Sequence, residues 1–191
     1  EVVADFLKVN GVNVVRTREP GGTPIAEQIR SLILDSTDQD FGDMTELLLV
    51  FAARANHIER VIEPALANGQ WVLCDRFTDA TFAYQGGGRK ITTEQIRAME
   101  VFAIDEFQPD ITILLDLPVE IGLERARHRG ELDRFESETA DFFTKVRTAF
   151  LHRAKEFPNR FRVIDASQEI ADVQVAIRAA LLPRIRDWCQ S

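Results

Sequence analysis

Four short apolar runs, separated by amphipathic helical segments, constrain the fold of this chain more than any other feature. The runs span residues 12–15, 71–74, 111–116 and 161–165. Their side chains are mostly apolar at consecutive positions, which is the pattern of strands buried on both faces of a parallel sheet. The alternation predicts an α/β fold, with a doubly wound, mostly parallel sheet and helices on both faces.

Size and charge exclude several classes of protein. The 191 residues can bury a core as one domain, and no apolar run is long enough to span a membrane. The net charge of −8 argues against a nucleic-acid partner. Two cysteines, Cys74 and Cys189, show neither metal-binding spacing nor a disulfide framework. These features predict a cytoplasmic protein that binds neither nucleic acid nor membrane.

Charged residues follow successive predicted strands. Arg18 and Glu19 follow the first run, Asp75 and Arg76 the second, and several arginines the third. The carboxyl ends of parallel strands meet at one edge of the sheet, and the arginine fork suits phosphate. The pattern therefore predicts a phosphate-handling site. The arginines after the third strand are also compatible with a solvated helix face, which most charge runs are.

The segment 75–89 is the most informative stretch of the chain. It begins with Asp75-Arg76 directly after a strand, contains the chain's single tyrosine, Tyr84, and ends in three glycines and Arg89. The glycines predict a loop that needs unusual dihedrals or close backbone approach. A salt-bridged strand end followed by a flexible loop is the alternative interpretation.

Four segments together resemble the bacterial thymidylate kinases in order and spacing. They are residues 17–23, 51–54, 75–89 and 129–134, and the similarity continues through residues 163–167. The resemblance implies the fold of the P-loop nucleoside-monophosphate kinases, as one kinase domain over residues 1–191 with a lid at about 125–140. It also implies transfer of the ATP γ-phosphoryl group to dTMP, with Mg²⁺ as cofactor, in a homodimer that serves dTTP synthesis.

The resemblance assigns roles on the acceptor side. Arg76 matches the arginine that holds the dTMP phosphate, and Asp75 the acid beside the metal and phosphates. Arg54 matches the arginine that hydrogen-bonds the thymine edge. Arg18 and Glu19 match the loop beside the sugar and phosphates. The positions implied to line the nucleoside pocket are Phe51, Thr81, Tyr84 and Gln85.

On the donor side, Arg129 falls in the segment that matches the lid closing over ATP. Arg127 and Arg134 are further candidates for lid arginines that contact ATP. Asp165 and Ser167 match the loop near the adenine. The resemblance thus implies Asp75, Arg76 and Arg129 as catalytic residues. The chemistry is consistent, since phosphoryl transfer depends on positioning and charge neutralisation.

Two features depart from the family pattern. Many members carry an aromatic residue four positions before the thymine-reading arginine, where this chain has Val50. Phe51 comes one residue later, and a helix turns about 100° per residue, so Phe51 is displaced from that face. The second departure is that the chain contains no Gly-x-x-x-x-Gly-Lys-Ser/Thr phosphate loop.

The first residues of the chain suggest why the sequence contains no phosphate loop. Residue 1 is not methionine, and residues 1–9 have the spacing of a helix already under way. We expect roughly 20–25 further N-terminal residues, enough for the central first strand and the phosphate loop. Residues 1–191 alone are then expected to be inactive.

Two alternatives stay open at this point. One is another nucleoside or nucleoside-monophosphate kinase of the same fold, because fold alone does not set the substrate. The other is a nucleotide-binding module without catalysis. Rates with different acceptors separate the first alternative from a thymidylate kinase, and the intact mass of the protein tests the second.

Overall fold

The computed structural model describes residues 2–35, 41–129, 135 and 138–190. Three of its strands match the predicted apolar runs to within one residue: β2 (Trp71–Asp75), β3 (Thr112–Asp116) and β4 (Phe161–Asp165). β1 (Val14–Arg18) begins two residues later than predicted and continues through three polar residues that the sequence assigned to a loop. β1 pairs with β2 and β3 with β4, both in parallel, and the two pairs form separate two-stranded sheets. The predicted parallel α/β architecture is confirmed.

Helices fill most of the remaining chain. They are α1 (Val2–Val9), α2 (Pro24–Asp35), α3 (Asp43–His57), α4 (Glu63–Ala67), α5 (Thr78–Thr81), α6 (Thr93–Ile104), α7 (Val119–Arg129), α8 (Ala140–Glu156) and α9 (Ile170–Gln190). Two π-helical segments, Ile58–Ile62 and Phe82–Gly88, adjoin α3 and α5. None of the helices within the described ranges has the length and apolar character to cross a membrane.

The strands are covered by helices on both faces, as predicted. On one face, α1 and α9 pack against side chains from all four strands, including Trp71 of β2 and Ile164 of β4. On the other face, α3, the segment Ile58–Ile62 and α6 pack against Val72 of β2. Trp71 and Val72 point to opposite faces because side chains alternate along a strand.

The helical run from residue 43 to residue 67 changes hydrogen-bond register near its end. Pro64 lies in the first turn of α4, directly after the π-helical segment Ile58–Ile62. Proline cannot donate a backbone hydrogen bond, and a π-helical turn accommodates that loss without ending the helix. The run ends at Asn68 and Gly69, and Gly69 has the positive φ (+67°) of a helix C-terminus.

The glycines at positions 86–88 are helical, so the prediction of a loop there is wrong. They belong to the π-helical segment Phe82–Gly88 and have no positive φ. A Cβ at Gly87 would lie 2.9 Å from Cβ of Ala149, and one at Gly88 would overlap the Phe142 ring. Of the two reasons the sequence offered for glycine, close backbone approach to α8 is the one that applies.

Candidate active site

The loop after β1 is held against the end of β2. The Arg18–Asp75 register pair closes the β1–β2 ladder, and the Glu19 amide continues it by donating to the Asp75 carbonyl at 3.0 Å. The Glu19 side chain at this junction is buried. The strand register therefore brings the segments 17–23 and 75–89 together, as the sequence predicted.

A chain of hydrogen bonds runs from the half-buried Thr17 of β1 through buried side chains to α5. Arg54 donates from Nε to Glu19 Oε2 at 2.7 Å and from Nη2 to Thr81 Oγ1 at 3.0 Å. His57 Nδ1 lies 3.0 Å from Glu19 Oε1, and His57 Nε2 lies 2.5 Å from Thr17 Oγ1. One carboxylate thus links an arginine and a histidine that lie on the same face of α3.

One donor group of Arg54, Nη1, makes no hydrogen bond with the described residues. Its side chain is 2% exposed, and its guanidinium carbon lies 5.0 Å from the Phe51 ring centroid and 5.3 Å from that of Phe77. Nη1 is buried and has no hydrogen-bond partner among the described residues. Buried donors are almost always satisfied in folded proteins, so an unpaired Nη1 indicates a position for an acceptor atom of a ligand.

Phe51 lies deeper than the sequence suggested. It is 1% exposed and belongs to the hydrophobic core formed by α3, the adjoining π-helical segment and α6. The preceding residue, Val50, is also buried. Phe51 therefore contacts the Arg54 guanidinium from the core side, and its predicted contact with a nucleobase stays a prediction.

Glu19, His57 and Cys74 offer ligand atoms that all lie within 4.8 Å of one another. The Arg54 guanidinium already neutralises the Glu19 carboxylate, and both ring nitrogens of His57 are engaged. Burial, reinforced by the Glu19 charge, raises the pKa of the Cys74 thiol well above its usual range. A protonated thiol is a poor ligand, so we interpret the cluster as a hydrogen-bond network and not as a metal centre.

Asp75 and Arg76 lie exposed at the end of β2. Arg76 has a positive φ (+66°), which is uncommon for a residue with a side chain, and its guanidinium carbon lies 4.8 Å from the Tyr84 ring centroid. The Asp75 carboxylate has no hydrogen bond or ion pair within the described part of the chain. An oxygen ligand of this kind, together with phosphate oxygens, fits the requirements of Mg²⁺.

Tyr84 and Gln85 are fixed by the π-helical segment that carries them. The Tyr84 ring makes edge-to-face contacts with Phe135, Phe142 and Phe150. Gln85 is buried and its amide donates to Glu46 of α3 at 2.8 Å. Tyr84 is thus held between an aromatic cluster and the Arg76 guanidinium.

Arg18, the last residue of β1, is tied to helix α2. Its guanidinium pairs with Glu27 of α2 at 2.8 Å, and the Gly22 amide donates to the other carboxylate oxygen at 2.9 Å. The Gly22 bond and, secondarily, Arg18 lower the pKa of Glu27. Arg18 remains half exposed, whereas the adjacent Glu19 is buried.

The predicted donor-side residues are placed only in part. Asp165 accepts hydrogen bonds from the Ser167 hydroxyl (2.6 Å), the Gln168 amide (2.8 Å) and the Ser167 backbone (2.9 Å), and these bonds lower its pKa. Arg125 of α7 joins the same turn by donating to the Ala166 carbonyl at 2.9 Å. Arg127 is exposed. Arg134 lies outside the described residues, and Arg129 is described only as the last position of α7.

Sequence reasoning missed His57 and Phe77. His57 follows Arg54 by three residues on a predicted helix, and this spacing alone could have placed both side chains on one face. Phe77 adjoins Arg76 but carries no charge to draw attention. A second buried cluster, in which Asp79 binds Arg153 and Arg160, joins residues 74 and 81 positions apart, and no local pattern predicts it.

Comparisons with known proteins identify the family to which the chain is similar. A family model described as thymidylate kinase matches residues 1–177. Thymidylate kinase from Ectopseudomonas mendocina (strain ymp) is 56% identical over 190 residues, which cover 100% of this chain and 90% of that protein. The corresponding protein of Pseudomonas putida (strain W619) is 55% identical over 190 residues, with 100% and 91% coverage.

A solved structure supports the same conclusion. The crystal structure of thymidylate kinase from Ehrlichia chaffeensis superposes with a TM-score of 0.72 at 33% identity. The superposition covers 94% of this chain and 85% of that one. With the family model and the near-complete relatives, this similarity establishes that the chain belongs to the thymidylate kinase family.

Proposed function

We propose that this protein transfers the γ-phosphoryl group of ATP to dTMP, giving dTDP and ADP. Family membership supports the reaction, and the observation that carries the acceptor assignment is the buried, unpaired Nη1 of Arg54. Glu19 neutralises the guanidinium, so Nη1 suits a neutral carbonyl better than a phosphate. The thymine carbonyl is an acceptor of that kind.

The proposed phosphate anchor is Arg76. It lies at the carboxyl end of a parallel strand, where α/β proteins bind ligands, and its exposed guanidinium is free of carboxylate partners within the described residues. Its positive φ turns the chain sharply at the strand end, a kind of backbone strain that concentrates at functional sites. The Tyr84 ring supports one face of the guanidinium and limits its motion.

Asp75 is the proposed Mg²⁺ ligand. When bound, the ion would neutralise phosphate oxygens during transfer. Asp75 and Arg76 are neighbours on the chain, so the acid and the arginine would approach the same phosphates from adjacent positions. Glu19 and Thr81 take part indirectly, because each holds one nitrogen of Arg54.

On the donor side, we assign ATP to the lid at about 125–140 and to the turn after β4. Arg127, Arg129 and Arg134 supply the positive charge of the lid in this proposal. Asp165 and Ser167 shape the turn beside the adenine. The bond from Arg125 to the Ala166 carbonyl joins the two, which supports a single donor site.

We also propose a homodimer, in the cytoplasm. Helices α2, α3 and α6 expose apolar side chains: Ile25 and Leu32, Met44 and Leu48, and Val101 and Phe102. α3 packs against both α2 and α6, so these residues belong to neighbouring helices. Apolar patches of this kind mark interfaces, and the patch suits a second copy of the chain. Light scattering tests the dimer through a mass twice that of the protomer.

The reaction is tested by measuring phosphorylation of dTMP, dUMP, dAMP and thymidine by the full-length protein with ATP and Mg²⁺. We expect dTMP to give the highest kcat/KM. Another preferred acceptor would support a different kinase of the same fold. Binding of dTMP without any turnover would support a nucleotide-binding module instead.

A further inference from the structure

We infer that His57 is a positioning residue for recognition of the acceptor base, because it fixes the carboxylate that aims Arg54. This inference rests on the proposed function and adds a residue to it. His57 itself is fully buried, and its ring nitrogens are engaged by Glu19 and Thr17. Its effect on the substrate therefore passes through its neighbours.

Glu19 is the link in this arrangement. Its Oε2 accepts from Arg54 at 2.7 Å, and its Oε1 lies 3.0 Å from His57 Nδ1. A carboxylate held at one oxygen can still rotate about its terminal bond, whereas one held at both oxygens cannot. His57 thereby fixes the plane of the carboxylate, and the carboxylate fixes the plane of the guanidinium.

The carboxylate partner identifies the donor nitrogen of the ring. An ionised carboxylate only accepts hydrogen bonds, so His57 Nδ1 must be the donor to Glu19. Nε2 makes the second hydrogen bond of the ring, to Thr17 Oγ1 at 2.5 Å. Thr17 belongs to β1 and His57 to α3, so the ring is fixed by two elements of the fold.

The surrounding backbone leaves the ring no room to move. A Cβ at Gly22 would lie 2.5 Å from His57 Cδ2 and 2.6 Å from Thr17 Oγ1. Gly22 also has a φ of +86°, which side chains rarely adopt. The loop of residues 17–23 thus packs directly on the His57 ring.

The consequence for specificity follows from the third nitrogen of Arg54. Nε and Nη2 are used by Glu19 and Thr81, and Nη1 remains for the ligand. A change in the guanidinium plane moves Nη1 while leaving the charge in place. Loss of the His57 bond should therefore weaken the discrimination between a carbonyl and an amino group on the base, with little effect on ATP.

Two substitutions separate positioning from simple packing. In His57→Asn, the amide nitrogen takes the place of Nδ1 and can still donate to Glu19. In His57→Gln, the amide reaches the place of Nε2 instead, so contact with Thr17 is kept and contact with Glu19 is lost. We expect His57→Asn to keep KM for dTMP within about threefold of wild type and His57→Gln to raise it about tenfold or more.

The specificity readout is the ratio of kcat/KM for dTMP to that for dCMP, whose base has an amino group in place of the 4-carbonyl. We expect this ratio to fall about tenfold in His57→Gln and to stay near wild type in His57→Asn. KM for ATP should change in neither variant. His152→Gln is the matched control, since His152 is exposed on α8 and should leave the ratio and both KM values unchanged.

Three results would overturn the inference. They are equal dTMP/dCMP ratios in wild type and His57→Gln, equal losses in the Asn and Gln variants, or a parallel rise in KM for ATP. Each is distinct from failure of the proposed function, which would appear as a wild-type protein that does not phosphorylate dTMP.

Discussion

Replacing Arg54 by lysine tests base recognition most directly, because lysine keeps the charge and loses the fork. In the native protein, each guanidinium nitrogen has a different partner: Nε donates to Glu19 and Nη2 to Thr81, and Nη1 is proposed to donate to the base carbonyl. A lysine ammonium is a single point of donation. It can remain with Glu19, but it cannot reach all three positions together.

The expected magnitudes follow from these contacts. Loss of the Thr81 bond should cost about 0.5–1.5 kcal/mol of stability. Loss of a charged donor to the base should cost about 1.5–3 kcal/mol of binding, which is about 10- to 150-fold in KM for dTMP. Arg54→Ala is a less clear test, since an uncompensated Glu19 in the interior would cost about 3–5 kcal/mol of folding stability.

The assay is steady-state kinetics in which each nucleotide is varied in turn. Arg60→Lys is the matched control, because Arg60 lies on the same helical run but is exposed and, among the residues that the structure describes, pairs with its neighbour Glu59 alone. The control should leave both KM values unchanged. If Arg54→Lys leaves KM for dTMP within about threefold of wild type, or raises KM for ATP equally, Arg54 does not read the base.

Three further predictions concern the phosphates, the lid and the glycine contact. Arg76→Ala should lower kcat/KM for dTMP by a hundredfold or more, on the order of 3 kcal/mol, and a loss below about threefold would refute its role as phosphate anchor. Arg129→Ala should lower kcat while dTMP binding, measured calorimetrically without ATP, stays constant; weaker dTMP binding would remove Arg129 from the lid assignment. Gly88→Ala should lower the free energy of unfolding by about 1–3 kcal/mol, because the added methyl group overlaps Phe142, and each kcal/mol should lower Tm by about 2–4 °C. The control Gly122→Ala has room for a methyl group and should not lower Tm. Equal Tm values for the two variants would contradict the close packing at Gly88.

Local patterns predicted the elements of the fold. Three strands lie where consecutive apolar residues placed them, whereas β1 extends past its apolar run to Arg18 because it pairs with β2. Arg18, Asp75 and Arg76 lie together at the ends of β1 and β2. Parallel pairing alone brings such strand ends to one edge. The prediction succeeded there because strand direction, and not side-chain detail, decides the outcome.

Local sequence patterns did not predict contacts between residues that lie far apart in the chain. Glu19 and His57 lie 38 positions apart, and their bond depends on how α3 packs against the loop after β1. The glycines at 86–88 have the composition of a loop, yet the need to approach α8 closely outweighs their low helix propensity. In both cases tertiary packing decides the outcome, and it leaves no signal in a short window of sequence.

Arg54 is buried and Arg76 is exposed, so the interactions of these two arginines should respond differently to ionic strength. Arg54 is buried and already neutralised by Glu19, so dissolved ions cannot compete effectively for it. Arg76 is exposed beside the strand end, and its attraction for a phosphate is screened over about 8 Å at physiological salt. Added salt should therefore weaken the hold on the nucleotide's phosphate while the choice of base remains the same. In the proposed site, affinity and selectivity for the acceptor would therefore depend on separate charges.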